Sequence, residues 1–202
     1  MASDGRARHG LGKVTAVGLA HLVHDTPSAF LAPLLPVLID KFGITVFMAG
    51  FLDVVRRIPA LANPFLGLIA DRVCIRWFII LTPGITAVTM SLLGIAPGYA
   101  FLVILMLVAG VSSALFHVTA PVMMRHVSTG RIGRGMSFYM LGGELARTLG
   151  PLTILGAVSL WGFEGSWRLA PVGVVASFVL WYVLRDVRID RERAGTGDDG
   201  VG

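Results

Sequence analysis

Six apolar runs, each long enough to cross a lipid bilayer, constrain the fold of this chain more than any other feature. A membrane-spanning helix needs about 20 predominantly apolar residues. The runs, called spans 1 to 6 below, cover residues 14–39, 44–70, 77–96, 100–124, 135–160 and 167–184. They predict an all-α integral membrane protein with a six-helix bundle over residues 14–184, a cytoplasmic N-terminal tail over 1–13 and a disordered cytoplasmic tail over 185–202.

The composition supports lipid as the solvent of this chain. Of its 202 residues 55% are hydrophobic and 14% are charged, whereas soluble domains have about 25% charged residues. The net charge of +5 does not indicate nucleic acid, because the basic residues stand at the ends of apolar runs and not on one solvent face. No nucleophile elbow, P-loop or dinucleotide fingerprint occurs in the sequence, so we expect neither an enzyme nor a cofactor.

The distribution of Lys and Arg predicts the orientation. Twelve of the 17 stand in the tails and in the segments after spans 2 and 4, and two, Lys41 and Arg168, stand on the other side. By the positive-inside rule, both termini are predicted to be cytoplasmic in a cell (inner) membrane. The one cysteine, Cys74, falls in a predicted cytoplasmic loop, where a reduced thiol is expected.

Span 1 carries a polar face composed of His21, His24, Asp25 and Ser28. Their spacing of i, i+3, i+4 and i+7 places them on one side of a helix. A charge inside a membrane costs about 2.5–3.5 kcal/mol on insertion scales, so such residues usually serve a pathway or a pair. Asp25 beside two imidazoles is therefore predicted to bind and release protons, the alternative being a polar patch that holds helices together.

Span 2 carries Asp53, Arg56 and Arg57, in which the acid can pair with either arginine. One acid cannot neutralise two arginines. Either another helix supplies a carboxylate, or the spare guanidinium binds an anionic ligand. The alternative is a pair near the end of the span, whose long side chains reach the lipid headgroups.

Span 5 carries Glu144 and Arg147 as an i, i+3 pair near its middle, within a glycine-rich stretch. We predict a role in gating or coupling, and the alternative is a structural ion pair that fixes helix register. Small residues allow close helix approach and proline allows a kink. The predicted packing residues are Gly142, Gly143, Gly150 and Pro151.

His117 in span 4 is a lone imidazole, a type that is more often a packing residue than a ligand. The charged clusters on the other spans favour a role for it in substrate binding. His21, His24, Asp25 and His117 have metal-ligating side chains. No further closely spaced ligand accompanies them in the sequence, so we predict no metal site.

Residues 67–76 read G-L-I-A-D-R-V-C-I-R. This stretch resembles the loop G-x-L-A-D-R-x-G-R-R that joins the second and third helices of the major facilitator superfamily. It departs from that motif at Cys74, where the family has glycine, and at Ile75, where the family has a basic residue. The resemblance implies a gating loop formed by Gly67, Asp71, Arg72 and Arg76.

Longer stretches are similar to the fosmidomycin-resistance branch of that superfamily. They are residues 24–25 with 30–36, 91–97, 114–117 and 135–151. Span 2 departs from the branch at Asp53, Arg56 and Arg57, and at Asn63, where glutamine is usual before Pro64.

The resemblance implies one six-helix half, made of two three-helix repeats, of a proton-coupled exporter of small anionic or drug-like compounds. Spans 1 and 4 would line its cavity, with Asp25 and His117 as cavity groups. Spans 2 and 5 would meet the other half, with Glu144 and Arg147 at the interface.

Alternating access needs two halves, so the leading hypothesis is a homodimer. A separate six-helix partner, or a non-transport subunit or truncated product, are the alternatives. The predicted mechanism is exchange. Asp25, tuned by His21 and His24, carries the proton. Arg147, with Asp53, Arg56 and Arg57, contributes to the site for an anionic substrate. Glu144 competes with that substrate for Arg147.

Overall fold

The computed structural model describes residues 2–70, 75–128 and 131–185. Within these ranges the six predicted spans are mainly helical, with short connections and no strand. The helices are α1 (Ala2–Ser28), α2 (Leu31–Phe42), α3 (Val46–Arg57), α4 (Asn63–Ala70), α5 (Ile75–Ser91), α6 (Tyr99–Val127), α7 (Ile132–Trp161) and α8 (Ala170–Leu184). Three 3-10 helices cover Ile58–Ala62, Leu92–Ile95 and Glu164–Leu169. The predicted disordered tail, apart from Arg185, lies outside the described residues.

Spans 1 and 2 are each interrupted, where the sequence predicted continuous helices. Span 1 breaks between α1 and α2 at Ala29 and Phe30. Pro33 has no N–H to donate to the carbonyl of Ala29, so the α-helical ladder is incomplete there. Span 2 changes to 3-10 geometry over Ile58–Ala62, which contains Pro59, for the same reason.

The connection between spans 1 and 2 is built from local signals. Gly43 follows α2 with φ of 59°, the left-handed conformation that glycine adopts at helix ends. Thr45 then caps α3, because its hydroxyl oxygen accepts a hydrogen bond from the backbone N–H of Met48 at 3.2 Å. The chain thereby reverses direction within three residues.

The bundle packs around spans 1, 3 and 4. The most extensive helix–helix contacts join α1 to α7, α5 to α8 and α5 to α6. One apolar core includes Phe30, Leu34, Leu52 and Met106, and a second includes Phe116 with its neighbours at the other end of the bundle. Span 2 packs mainly on α6, and span 5 packs mainly on α1, so spans 2 and 5 each leave a long face uncovered.

Four helical segments of the described chain are long and apolar enough to cross a membrane: Gly12–Phe42, Arg76–Ile95, Tyr99–Val127 and Glu164–Leu184. Spans 2 and 5 complete the set of six but carry the charged residues Asp53, Arg56, Arg57, Glu144 and Arg147. The prediction of an all-α membrane bundle is confirmed. Spans 2 and 5 thus combine exposed charged residues with large uncovered faces, whereas the uncovered face of α8 is apolar.

Candidate functional site

Glycines on α7 allow this helix to approach α1 closely. A Cβ at Gly142 would overlap the carbonyl of Gly18 on α1, and one at Gly143 would lie 2.6 Å from Cε1 of His21. One at Gly150 would lie 2.6 Å from the Cβ of Ala29. Larger residues at these positions would push the helices apart. Pro151 follows within α7.

This close approach positions the ring of His21. Its Nδ1 lies 2.7 Å from the backbone carbonyl oxygen of Tyr139 on α7. A carbonyl oxygen can only accept, so Nδ1 carries the hydrogen and donates it. The other ring nitrogen, Nε2, lies 3.1 Å from Oδ2 of Asp25, one turn further along α1. The backbone of span 5 therefore directs Nε2 of His21 at the carboxylate.

His117 reaches the same carboxylate from α6. Its Nε2 lies 3.2 Å from Oδ1 of Asp25, and its Nδ1 lies 3.5 Å from the hydroxyl oxygen of Tyr139. The Asp25 side chain is only 15% exposed, whereas that of His117 is 38% exposed. The cluster thus joins spans 1, 4 and 5 and opens to the surface along His117.

His24 has a different environment from His21. Its ring is fully buried and stacks on Phe116, with centroids 4.2 Å apart. Its Nε2 lies 4.0 Å from Oδ1 of Asp25, and neither ring nitrogen makes a hydrogen bond within the described chain. The hydroxyl of Ser28 donates to the carbonyl of His24. His24 is thus a packing neighbour of the cluster, and Ser28 bonds to its own helix.

The cluster also has the composition of a metal site. One ligand atom from each of His21, Asp25 and His117 can be chosen so that all lie within 4.8 Å of one another, a spacing that a tetrahedral ion with an open position accepts. In the structure these atoms contact each other directly. Direct contact between the imidazoles and the carboxylate is therefore the alternative to a metal ion bound between them. The absence of a metal stays a prediction.

The charged group on span 2 is held by one carboxylate. Asp53 accepts hydrogen bonds from Nη2 of Arg56 at 2.8 Å and from Nε of Arg57 at 2.7 Å. Arg56 is largely enclosed, whereas the side chain of Arg57 is 71% exposed. On span 5, Nη1 of Arg147 lies 3.3 Å from Oε1 of Glu144, and these side chains are 74% and 59% exposed.

The structure does not join the predicted substrate residues into one site. Arg56 and Arg57 lie on a span that packs on α6, and Arg147 lies on a helix that packs on α1. His117 is in contact with the proton cluster instead of with these arginines. The three arginines therefore belong to two separate surfaces of a single chain.

Part of the predicted gating loop lies outside the described residues, namely Asp71 and Arg72. Gly67 lies on α4 with open space where a Cβ would be. Arg76, at the start of α5, donates from Nη1 to the backbone carbonyl of Arg185 at 2.6 Å. This bond ties the beginning of span 3 to the end of span 6.

Sequence reasoning missed two residues that the structure places at key contacts. Tyr139 supplies both a carbonyl for His21 and a hydroxyl near His117. The available signal was its place four residues before Gly143, which is one turn on the same face. Lys41, in the last turn of α2, bridges the carbonyl of Gly94 at 2.7 Å and Oε1 of Glu164 at 2.9 Å. Both partners lie in 3-10 helices distant in sequence, so spacing could not indicate this contact.

Comparisons with known proteins agree with this architecture. The family model of the Major Facilitator Superfamily matches residues 17–200. The fosmidomycin resistance protein of Escherichia coli (strain K12) is 25% identical over 187 residues, which is 90% of this chain and 46% of that protein.

The uncharacterized MFS-type transporter YfnC of Bacillus subtilis (strain 168) is 25% identical over 177 residues, 84% of this chain and 43% of that protein. The chain thus spans about half the length of these curated relatives. The predicted resemblance is confirmed, and the chain belongs to the Major Facilitator Superfamily of membrane transporters.

Proposed function

We propose that this chain is the half-size unit of a secondary active transporter that exchanges protons for a small anionic or drug-like compound, working as a dimer of six-helix halves. The observation that carries the proposal is the contact of Asp25 with His21 and His117, 3.1 and 3.2 Å away, at the junction of spans 1, 4 and 5. Buried ionisable residues inside a membrane usually mark proton or substrate pathways.

The tautomer of His21 supports proton exchange at this cluster. Because Nδ1 donates to the carbonyl of Tyr139, a neutral His21 would turn the unprotonated Nε2 towards the oxygen of Asp25, and two acceptors would face each other. A proton between them removes this conflict. The pair of His21 and Asp25 is therefore the proton carrier, and release of the proton leaves the cluster with a negative charge.

His117 gives the carrier a path to the surface of the chain. Nε2 of His117 lies 3.2 Å from Oδ1 of Asp25, and Nδ1 of His117 lies 3.5 Å from the hydroxyl oxygen of Tyr139. Because His117 is the more exposed member, it passes protons between the carboxylate and water. His24, buried against Phe116, tunes the site by excluding water from it.

The arginines of spans 2 and 5 supply the anion-binding half of the exchange. Arg147, with Arg56 and Arg57 and their acid Asp53, attracts a negative group, and Glu144 competes with the substrate for Arg147. These groups come together only across two halves, because one chain separates them. Moving one charge across the membrane potential supplies about 2.3 kcal/mol per 100 mV, enough to drive export.

The assembly we propose is a homodimer with its two-fold axis along the membrane normal. Both copies are inserted in parallel, with cytoplasmic termini in a cell (inner) membrane, and span 2 of each meets span 5 of the other. For the gating loop, whose Asp71 lies outside the described residues, we predict a bond from Asp71 to the start of α7 in the second copy, near Arg131 and Arg134, because a helix N-terminus favours a negative charge.

The loop contact has its own test. Asp71→Asn is expected to weaken dimerisation or gating, since the amide lacks the charge that the helix N-terminus favours. Substrate exchange is measured in liposomes that contain the variant. Exchange at the rate of the unaltered chain would exclude the contact.

The name of the Escherichia coli relative suggests where to look for a substrate, since it refers to resistance to fosmidomycin. Phosphonates of that kind are small anions and fit an arginine-based site. Small drug-like cations and neutral compounds form the comparison set.

A second candidate function is a non-transport membrane subunit, or a half that needs a separate six-helix partner. The exposed charged residues of spans 2 and 5, which need a covering surface, fit a separate half as well as a second copy. A chain that carries no proton flux alone, but does so after addition of a distinct half, would establish this alternative.

The test is proton flux in proteoliposomes that contain only this chain, with and without phosphonates and other drugs. Asp25→Asn is compared with Asp40→Asn, the same change at an exposed position at the end of α2. We expect substrate-dependent flux in the unaltered chain and in Asp40→Asn, and its loss in Asp25→Asn. Equal flux in both variants, or no flux from folded protein, would contradict the proposal.

A further inference from the structure

Spans 2 and 5 each expose a stripe of side chains with the same periodicity. On span 2 the exposed residues follow one another by steps of four and three: Phe47, Phe51, Val54, Ile58, Leu61 and Phe65, with 42% to 81% of each side chain uncovered. On α7 the steps are three and four: Phe138, Leu141, Leu145, Thr148, Leu152 and Leu155, all exposed. A mean step of 3.5 residues is the repeat of a left-handed coiled coil.

We propose that these two stripes are the two sides of one antiparallel seam between copies of this chain, in which Arg57 of one copy pairs with Glu144 of the second copy. The inference rests on the homodimer of the proposed function and specifies its contacts. By two-fold symmetry the dimer contains this seam twice.

Charge distinguishes these faces from an ordinary lipid-facing surface. The exposed face of α8, which includes Val172, Val175 and Phe178, is apolar along its described length. The stripes on spans 2 and 5 instead run beside Asp53, Arg57, Glu144 and Arg147. Because charges in hydrocarbon are costly, these faces need to pack against a surface that carries polar or charged groups. Lipid chains do not supply such groups.

The charge on span 2 indicates what the cover contains. Asp53 is shared by Arg56 and Arg57, so span 2 has one positive charge more than its own acid neutralises. Within the described spans, Asp25 is enclosed by two imidazoles and Asp53 by two arginines. Glu144 remains, more than half exposed and contacted by one arginine. It is the carboxylate that matches the exposed Arg57.

The register of the seam follows from the repeat. Spans 2 and 5 run in opposite directions through the membrane, so they pair antiparallel when both copies have the same orientation. In an antiparallel pair, a seam residue followed by a step of four on one helix lies opposite a seam residue followed by a step of three on the other. Placing Val54 opposite Leu145 of the second copy also places Leu61 opposite Phe138, Phe51 opposite Thr148 and Phe47 opposite Leu152. Phe65 and Leu155 lie beyond these layers, at the two ends of the seam.

This register brings the charges together without further adjustment. Ile58 faces Leu141 of the second copy, Arg57 immediately precedes Ile58, and Glu144 lies three residues after Leu141. Both charged residues therefore flank the same layer at equivalent positions of the repeat, where coiled coils place interhelical ion pairs. Asp53 and Arg147, the intrahelical partners of Arg57 and Glu144, lie together on one side of this layer.

The 3-10 segment of span 2 does not remove the stripe. Ile58 and Leu61 belong to this segment and are 48% and 79% exposed, so the uncovered face continues from α3 into α4. The layers closest to regular α-geometry are those that contain Phe51 and Val54. For this reason the first test uses Val54.

Disulfide trapping tests the register in the full chain carrying Cys74→Ala. Val54→Cys with Leu145→Cys forms the proposed layer, and Leu61→Cys with Leu145→Cys is the control one heptad away, about 10 Å along the helix. A disulfide needs Cα atoms within about 7 Å. We expect oxidation in liposomes to give covalent dimers in the first variant only. Equal dimer in both variants, or none in either, would overturn the seam.

Charge exchange tests the ion pair. Arg57→Glu and Glu144→Arg are each expected to lower the dimer association constant in nanodiscs by about tenfold, because a close interfacial ion pair becomes a repulsion. The double variant should recover most of this loss. Single variants that leave the constant unchanged, or a double variant as weak as the singles, would overturn the pair.

Parallel flux measurements separate this inference from the proposed function. If the unaltered chain shows substrate-dependent proton flux but the Val54→Cys, Leu145→Cys variant forms no disulfide, this seam is rejected and the transporter is retained. If the disulfide forms but the unaltered chain shows no flux, the seam is retained and the transporter is rejected. The two failures therefore have different signatures.

Discussion

The cluster at Asp25 and the ion pairs on spans 2 and 5 place similar residues in opposite surroundings. Asp25 is contacted on both oxygens by imidazoles of its own chain and is nearly enclosed. Among the residues that the structure describes, Arg57, Glu144 and Arg147 pair within their own helices, and they are mostly exposed. In a bilayer the first arrangement is complete within one chain, whereas the second requires a covering surface.

The difference assigns separate tasks to the two regions. Proton exchange can be built inside one six-helix half, because spans 1, 4 and 5 supply every group in the cluster. Substrate recognition and assembly depend on the exposed pairs. Variants that affect one region and spare the other therefore test this division.

The largest effect is expected where α7 meets α1, because this contact positions the buried cluster. Gly142→Ala places a Cβ against the carbonyl of Gly18, and such overpacking costs about 1–3 kcal/mol. Gly156→Ala is the matched control on the same helix, where the added Cβ meets open space and is expected to be neutral or slightly stabilising. Thermal unfolding in detergent measures both. Equal unfolding temperatures would contradict the close packing.

The next effect concerns the cluster itself. His117→Asn removes the imidazole 3.2 Å from Asp25, so proton flux should fall by about tenfold or more, as for loss of an acid–base group. His126→Asn is the control, since His126 is exposed near the end of α6 and its ring bonds to the carbonyl of Val122 in the same helix. Flux that falls equally in both variants would show that the change acts through α6 and not through Asp25.

Tyr139→Phe should have a smaller effect on flux than His117→Asn. His21 bonds to the backbone carbonyl of residue 139, which phenylalanine retains. Only the hydroxyl contact with His117 is lost, and at 3.5 Å it is at the limit of a hydrogen bond. We expect flux to fall by less than about threefold. A loss as large as that of His117→Asn would mean that the hydroxyl belongs to the proton path.

The sequence predicted the fold because apolar length and charge asymmetry are local signals. It also predicted that Asp25 has imidazole partners, since His21 is one turn away in the same helix. It did not predict that His117 joins them or that Tyr139 orients His21, because these contacts cross from α1 to α6 and α7. Helix spacing determines faces, whereas helix packing determines which faces meet.

The same reasoning explains why the sequence did not predict the interruptions of the helices in spans 1 and 2. Pro33 and Pro59 were visible, but a membrane bundle often accommodates proline within a continuous helix. Whether the helix breaks depends on the neighbours that satisfy the free carbonyl. The sequence also could not separate His24 from His21, since both lie one helical turn or less from Asp25. Their difference comes from Phe116 and Tyr139 on other helices.

A smaller effect is expected when Glu144→Gln is measured in the isolated chain. Because this ion pair is exposed, its contribution to the stability of a detergent-solubilised monomer is at most about 1 kcal/mol. Thermal unfolding of the monomer should change little, while dimerisation in a bilayer should weaken. A large destabilisation of the monomer would place Glu144 with the buried cluster and remove the contrast between the two regions.

The smallest effect is expected for Glu164→Gln, and it depends on the solvent around an exposed pair. Glu164 is 77% exposed, more than Glu144, but it lies beside Lys41 in the connection before α8, where water screens the charges. Lys41 also donates to the carbonyl of Gly94, so this bond survives in the variant. Hydrogen exchange over residues 92–96 should be unchanged in Glu164→Gln and faster in Lys41→Met. If Glu164→Gln accelerates exchange as much as Lys41→Met does, exposure alone does not indicate a weak pair. The case that Glu144 needs a covering partner would then rest on its lipid surroundings and not on its exposure.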